Sequence, residues 1–305
     1  MSKILVIFGA SGNQGRSVID TVLANKELSK KFQIRAVTRD VNKASVVELA
    51  KSGVEVVSAD MDSTSSMSNV VDGAHTVFLM TNFWESMSAT KEVAQGKAVA
   101  DACKAAGVKH LIFSSLINTT EASQGRLSHI SHFDGKAQIE AYIRDIQVPA
   151  TFVLPGMFMS GFLTMLRKNE EGGYTLALPV SEDKAQIPLL DAASDTGKFV
   201  IAVLQAYPSC LGKHVHAAVD YYTPKRILAE FAEVMKKPAA FAQVPGEVFK
   251  TFLPPPVAQE LLENMLLLED PGYYAGAALT QGPWSSCDNL TTWKDFVVAN
   301  REKWL

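Results

Sequence analysis

The chain has 305 residues, 47% of them hydrophobic, enough to bury a substantial core and to exclude a chain dominated by disorder. Its 29 basic and 32 acidic side chains leave a net charge of -3, so no overall positive field favours a nucleic-acid backbone or an anionic membrane surface. Cys103, Cys210 and Cys287 have neither metal-ligand nor CxxC spacing, which suits a reducing compartment, and no run of about eighteen apolar residues reads as a membrane span.

In chain order, short β-rich apolar runs occur at residues 4–8, 33–37, 54–57, 76–80, 111–113 and 150–154. The first is too short for a secretory signal and reads as a strand. Between the runs lie helical patterns, such as Val18, Ile19, Val22 and Leu23, or Val93, Gly96, Lys97, Val99, Ala100 and Cys103. Parallel strands cannot be joined by tight turns, so this alternation predicts a Rossmann-type, doubly wound parallel α/β sheet over residues 1–154. After Pro155 the rhythm breaks, and residues 155–305 read as a smaller α+β lobe, some of whose segments return to the first domain. A β-like run falls at 213–219. The run Leu-Pro-Pro-Pro-Val at 253–257 reads as a stiff connector before a helix over 258–268. Thr292 and Asp295 have capping-box spacing and open a final helix over Phe296, Val297 and Val298.

Directly after the first strand and before the first helix stands Gly9-Ala10-Ser11-Gly12-Asn13-Gln14-Gly15, a GxxGxxG loop. Glycines there permit the tight turn and let the backbone approach a pyrophosphate, while the helix N-terminus offers free N–H groups. The pattern points to a nicotinamide dinucleotide. The second strand ends Val37-Thr38-Arg39-Asp40, with Lys43 beyond it. Arg39 and Lys43 would meet the 2′-phosphate of NADP(H); Asp40 would instead address the ribose of NAD, or cap the next helix.

These residues resemble the NmrA-like family, a branch of the atypical short-chain dehydrogenases, and most closely its human-type NADPH-sensor members. The likeness is carried by residues 8–15, 37–39, 56–60, 77–85 (Val-Phe-Leu-Met-Thr-Asn-Phe-Trp-Glu), 95–97, 132–136 (His-Phe-Asp-Gly-Lys), and 144–149 continuing to 154–156. It covers about the first half of the chain and is diffuse in the last third. The resemblance implies NADP(H) as cofactor, with Gly9 to Gln14 around the pyrophosphate, Arg39 and Lys43 at the 2′-phosphate, and Asp60 with Met61 at the adenine. It further implies Thr81, Asn82 and Phe83 along the cofactor path, Lys136 at the nicotinamide ribose, and Pro155, Gly156, Met157 and Phe158 over the nicotinamide.

A competent short-chain reductase needs a tyrosine four residues before its lysine, to protonate the substrate oxygen as hydride arrives. Here position 132 is histidine, and the nearest tyrosine, Tyr142, follows the lysine. If the protein is catalytic, Lys136, His132 and Ser115 are the candidates, with Ser114 beside them; otherwise His132 is a helix-start residue at the cofactor edge. His129 and His132 have i,i+3 spacing but no third ligand, so no metal is expected. His214 and His216 share one face of a strand and read as solvated at a sheet edge. Phe83, Trp84, Met157, Phe158 and Met159 would make an apolar pocket or ordinary core. Lys26, Lys30, Lys31 and Arg35 read as a solvated helix end.

Two functions follow. In the first, the protein is a redox sensor or regulator that changes conformation or self-association, as a homodimer, with NADPH or NADP⁺. It then signals to a protein partner such as a transcription factor or an enzyme, without direct nucleic-acid or membrane contact, in the cytoplasm with nuclear entry left open. In the second, it is an NADPH-dependent oxidoreductase acting on a small carbonyl, quinone or imine.

Overall fold

In the computed structural model, which describes residues 2–279, 282 and 287–305, six strands occupy the first half of the chain. They are β1 (Lys3–Ile7), β2 (Phe32–Thr38), β3 (Glu55–Ser58), β4 (Ala74–Leu79), β5 (His110–Ser114) and β6 (Ala150–Pro155). The second half adds β7 (Met157–Phe158), β8 (Leu166–Lys168), β9 (Tyr174–Leu178), β10 (Ile187–Leu190), β11 (His214–Ala217), β12 (Asp220–Tyr222) and β13 (Ala239–Gln243). One seven-stranded sheet runs β11-β6-β5-β4-β1-β2-β3, and every neighbouring pair in it is parallel. The Rossmann-type expectation is met.

The central strands are buried on both faces, which is why they read as continuous apolar runs. On one face Leu5, Ile7 and Phe78 pack with Val18, Ile19 and Val22 of the helix Asn13–Ala24, and with Phe199, Val200 and Val203 of the helix Ala192–Ala206. On the other, Val6, Val77 and Phe113 pack with Val99 and Cys103 of the helix Ala89–Ala105, and with Ile139 and Ile143 of the helix Ser131–Asp145.

Chain from the second half therefore completes the first. β11 adds the edge strand beside β6, and the helix Ala192–Ala206 lies on Asn13–Ala24. The approach there is close: a Cβ at Gly197 would lie 2.3 Å from Ser17 O, and the Gly197 N–H donates to Ser17 Oγ at 3.0 Å. Beyond the large sheet stand two small ones, β12-β10-β7 and β13-β9-β8.

Two expectations need correction. Pro255 and Pro256 are not connector but the first turn of a helix, Pro255–Leu266, because first-turn N–H groups have no intrahelical acceptor and proline removes nothing there. His214 and His216 do not share a solvated edge. His214 bonds Glu140, whereas His216 is buried, stacks on Tyr274 and bonds the carbonyl of Ala278, since the residues after the second small sheet cover that face. The capping box is present: Thr292 Oγ1 and the Asp295 carboxylate bond each other's backbone N–H at the start of Trp293–Ala299.

Candidate functional site

The strand order reverses between β1 and β4, and a ligand cleft, of about 300 to 1,000 Å³ in ordinary small-molecule sites, is the usual consequence at such a switch point. The cleft found there has about 610 Å³ and is lined by residues that include Phe8, Gly9, Ser11, Gly12, Arg39, Lys43, Asp60 and Met61. Its floor is the glycine loop. The helix Asn13–Ala24 starts after Gly12 with no side chain capping it, so its first amides are left to solvent or a ligand. A Cβ on Gly15 would sit 2.3 Å from Gly9 O, closer than any real contact, so only glycine lets helix and loop meet. These features fit a bound pyrophosphate.

At the outer end, Arg39 and Lys43 stand where β2 gives way to the next helix. The Asp40 carboxylate accepts the Asn42 N–H at 2.9 Å, so it shapes the turn after β2; it does not cap the next helix, which starts after Lys43 without a side-chain cap. Arg39 is paired with Glu85, and this hydrogen bond, with the charge of the same carboxylate, raises the guanidinium pKa. Asp62 binds Lys91 at 2.7 Å and Gln95 at 2.7 Å, closing the rim behind Asp60.

The inner end lies past β4. Lys136 is buried, and its ammonium donates to Thr81 O at 2.9 Å, Thr81 Oγ1 at 2.8 Å and Glu92 Oε1 at 2.8 Å. All three donors are engaged. A ribose hydroxyl would have to replace one of these partners. His132 stands one helical turn earlier, with Nδ1 2.6 Å from Glu260 Oε1 and its ring 4.9 Å from that of Trp84. Its helix begins at Ser131, and the Glu260 carboxylate also accepts the His132 backbone N–H at 2.9 Å. His129 repeats the arrangement with Glu263, at 2.6 Å.

The serines part company. Ser114 Oγ donates to Gln14 Oε1 at 2.9 Å, joining β5 to the loop helix. Ser115 is buried and donates to Glu140 at 2.7 Å, away from His132 and Lys136. Burial would raise the Glu140 pKa, but His214, Ser115 and Arg144 together hold it below the ordinary carboxylate range. Pro155 and Gly156 are buried, Met157 and Phe158 half-buried, and Met159 belongs wholly to the core. Phe83 is buried against Trp84, which is exposed. Tyr142 bonds Asp101 on the outer surface. Arg35 is held by Val70 O, Asp72 O and Glu55, which takes it out of the basic cluster with Lys30 and Lys31.

Five functional neighbours were not read from the sequence: Met80 under Gly9, Glu85 at Arg39, Glu92 at Lys136, and Glu260 and Glu263 at the histidines. Only Met80 and Glu85 carried a signal, as members of the Val-Phe-Leu-Met-Thr-Asn-Phe-Trp-Glu segment.

Comparison with known proteins agrees with this fold. The sequence profile of the NmrA-like family matches residues 1–297. An NmrA-like family domain-containing oxidoreductase, ptmS of Penicillium ochrochloron, is 32% identical over 262 residues, 80% of this chain and 74% of the relative. The nitrogen metabolite repression protein nmrA of Emericella nidulans is 26% identical, over 62% of this chain and 54% of its own. Among solved structures, NmrA, a negative transcriptional regulator, in complex with NADP superposes with a TM-score of 0.81 at 21% identity, covering 99% of this chain and 97% of its own. Triphenylmethane reductase of Citrobacter sp. complexed with NADP(H) gives 0.78 at 22% identity, covering 98% and 99%.

Proposed function

The chain belongs to the NmrA-like family, and from that premise we propose that it binds NADP(H) and acts as a redox sensor or regulator rather than by turnover. The pyrophosphate would lie on the uncapped helix after Gly12, the 2′-phosphate between Arg39 and Lys43, and the nicotinamide ribose near Lys136. The observation that carries the sensor reading is the Arg39–Glu85 pair. A cofactor with a 2′-phosphate competes with Glu85 for the guanidinium; one without it does not.

Glu85 shares the short helix Phe83–Ser86 with Phe83 and Trp84, and Trp84 and Met87 are 43% and 56% exposed. Phosphate recognition at one end of this segment is thereby tied to an apolar surface at the other, suited to a protein partner such as a transcription factor or an enzyme, or to a second copy of the chain. A ligand shifts only an equilibrium whose states it binds unequally, and Glu85 supplies the inequality between NADP(H) and NAD(H). Discrimination between reduced and oxidised forms falls to the ring cluster Phe83, Trp84 and His132. The three free cysteines, two of them buried, support a reducing intracellular setting, cytoplasmic or nuclear according to the partner.

The second reading, an NADPH-dependent oxidoreductase, is favoured by the His132–Glu260 contact. A carboxylate on Nδ1 fixes the orientation of the ring, and as an imidazolium its Nε2 would give a proton to a carbonyl, quinone or imine as the bound coenzyme supplies hydride. Calorimetric titration with NADPH, NADP⁺, NADH and NAD⁺, sizing with and without the tightest ligand, and NADPH oxidation across a panel of such acceptors test both. The sensor reading expects tight NADP(H) binding, a ligand-dependent change in size or partner binding, and oxidation no faster than in buffer. Turnover that collapses in His132→Ala would establish the second reading instead, and absence of dinucleotide binding would end both.

A further inference from the structure

The second half of the chain encloses another cavity, of about 400 Å³, which shares no lining residue with the cleft at the glycine loop. Its walls come from β7, β8 and β9, the turn after β7, and the helices Gly246–Lys250 and Pro255–Leu266. Phe249, Phe252, Leu261 and Met265 make those walls mainly apolar, as in ordinary small-molecule sites of this size.

Four polar side chains break the apolar lining; Thr164 and Thr175 are already hydrogen-bonded, to Gly161 O and to Asn169, which leaves Asn264 and Arg167. Asn264 is only 9% exposed, yet its buried Nδ2 has no hydrogen-bond partner among the described residues. A buried amide left unpaired is costly, and native interiors seldom keep one without a water or ligand to meet it. Since a half-turn of the carboxamide exchanges its nitrogen and oxygen, the residue can offer the cavity a donor. Arg167 is the one ionisable side chain of the lining; it is exposed and has no ion pair among the described residues. An apolar chamber with a free cation and an unpaired amide matches an apolar molecule that carries an anionic oxygen group.

We propose that this cavity is a second small-molecule site, taking an apolar ring compound with a carboxylate or similar acid group. Arg167 meets the acid group, and the Asn264 carboxamide donates to an oxygen of the ligand. Met157 of this lining is also among the residues expected over the nicotinamide, so the cavity adjoins that end of the cofactor path, and the ligand binds there with or without a dinucleotide in the first cleft.

The test is a fluorescence titration of the full-length protein with anionic 8-anilinonaphthalene-1-sulfonate and neutral N-phenyl-1-naphthylamine. The unaltered protein is compared with Arg167→Gln, Asn264→Leu and Ala177→Trp, the last filling the chamber. Saturable binding of both probes is expected. Arg167→Gln should weaken the sulfonate about tenfold, the loss of one charge-assisted hydrogen bond, and leave the neutral amine within about twofold. Asn264→Leu should weaken the sulfonate several-fold, and Ala177→Trp should weaken both probes more than about tenfold. Unchanged circular dichroism and thermal midpoints identify variants that are folded. Absence of saturable binding, which would mean a water-filled cavity only, overturns the proposal. So do sulfonate binding indifferent to Ala177→Trp and equal weakening of both probes by Arg167→Gln.

Discussion

A single carboxylate oxygen, Oε1 of Glu260, accepts both the ring Nδ1 and the backbone N–H of His132, at 2.6 and 2.9 Å. It thus joins the helix Pro255–Leu266 to the N-terminus of the helix Ser131–Asp145, where a negative charge is favoured by the free amides and the helix dipole. Glu260→Ala removes both bonds from a largely buried contact and should cost about 1–3 kcal/mol. Glu260→Gln, which keeps an acceptor, should cost less. Hydrogen exchange should show faster exchange in Pro255–Leu266 with the amides of the large sheet unchanged; uniform acceleration would refute a local clasp.

Under the proposed function, Arg39 and Glu85 would set the cofactor preference. Arg39→Ala should weaken NADPH roughly 10- to 100-fold, the range for losing one or two charge-assisted hydrogen bonds, and barely alter NADH. Glu85→Gln frees the guanidinium from an exposed pair and should strengthen NADPH roughly two- to fivefold. Calorimetry with both cofactors reads each effect; an equal change for NADPH and NADH would remove Arg39 from the 2′-phosphate.

Lys136 and Glu92 are a buried ion pair, with side-chain exposures of 10% and 0%. Lys136→Met strands the Glu92 carboxylate, whose Oε2 already has no partner among the described residues, and should cost about 3–5 kcal/mol. Replacing Glu92 by Leu in the same chain should recover most of that. Urea unfolding of both variants checks it: a double variant as unstable as the single one would show that the pair is not the cause.

Acid should destabilise the protein through His110. Burial lowers its pKa from the ordinary 6.5 to about 4, and its Nε2 is 2.8 Å from Thr151 Oγ1, whose own proton goes to Cys210 O. Nε2 is therefore the donor and the ring is neutral. The unfolded chain takes up a proton below pH 6.5 that the folded one refuses, so this stability is complete above 6.5 and falls as pH drops towards 4, by about 3 kcal/mol. His75 and His216, also lowered by burial, act in the same direction. His110→Gln should flatten the fall in urea midpoint between pH 7 and pH 4.5; an unchanged slope would place the acid sensitivity elsewhere.

The parallel sheet was legible because its central strands are buried on both faces and write themselves as apolar runs, and the glycine loop because no other residue fits Gly15. The small sheets were not: a strand as short as Leu166–Lys168 has no period to read. Glu92 and Glu260 look like any carboxylates on helices, and their burial depends on Lys136 and His132, 44 and 128 positions away. Ser115 sits in the place a polarising serine would take, yet the strand's alternation sends it to Glu140 and its neighbour Ser114 to Gln14.

The seat of Gly197 against Ser17 spans 180 positions of chain. While the polypeptide is still emerging from the ribosome, Val18, Ile19 and Val22 can meet Leu5, Ile7 and Phe78, but their cover stays incomplete until Phe199, Val200 and Val203 arrive. A polypeptide cut short after the first six strands should therefore expose that apolar seam and be prone to stick to other chains.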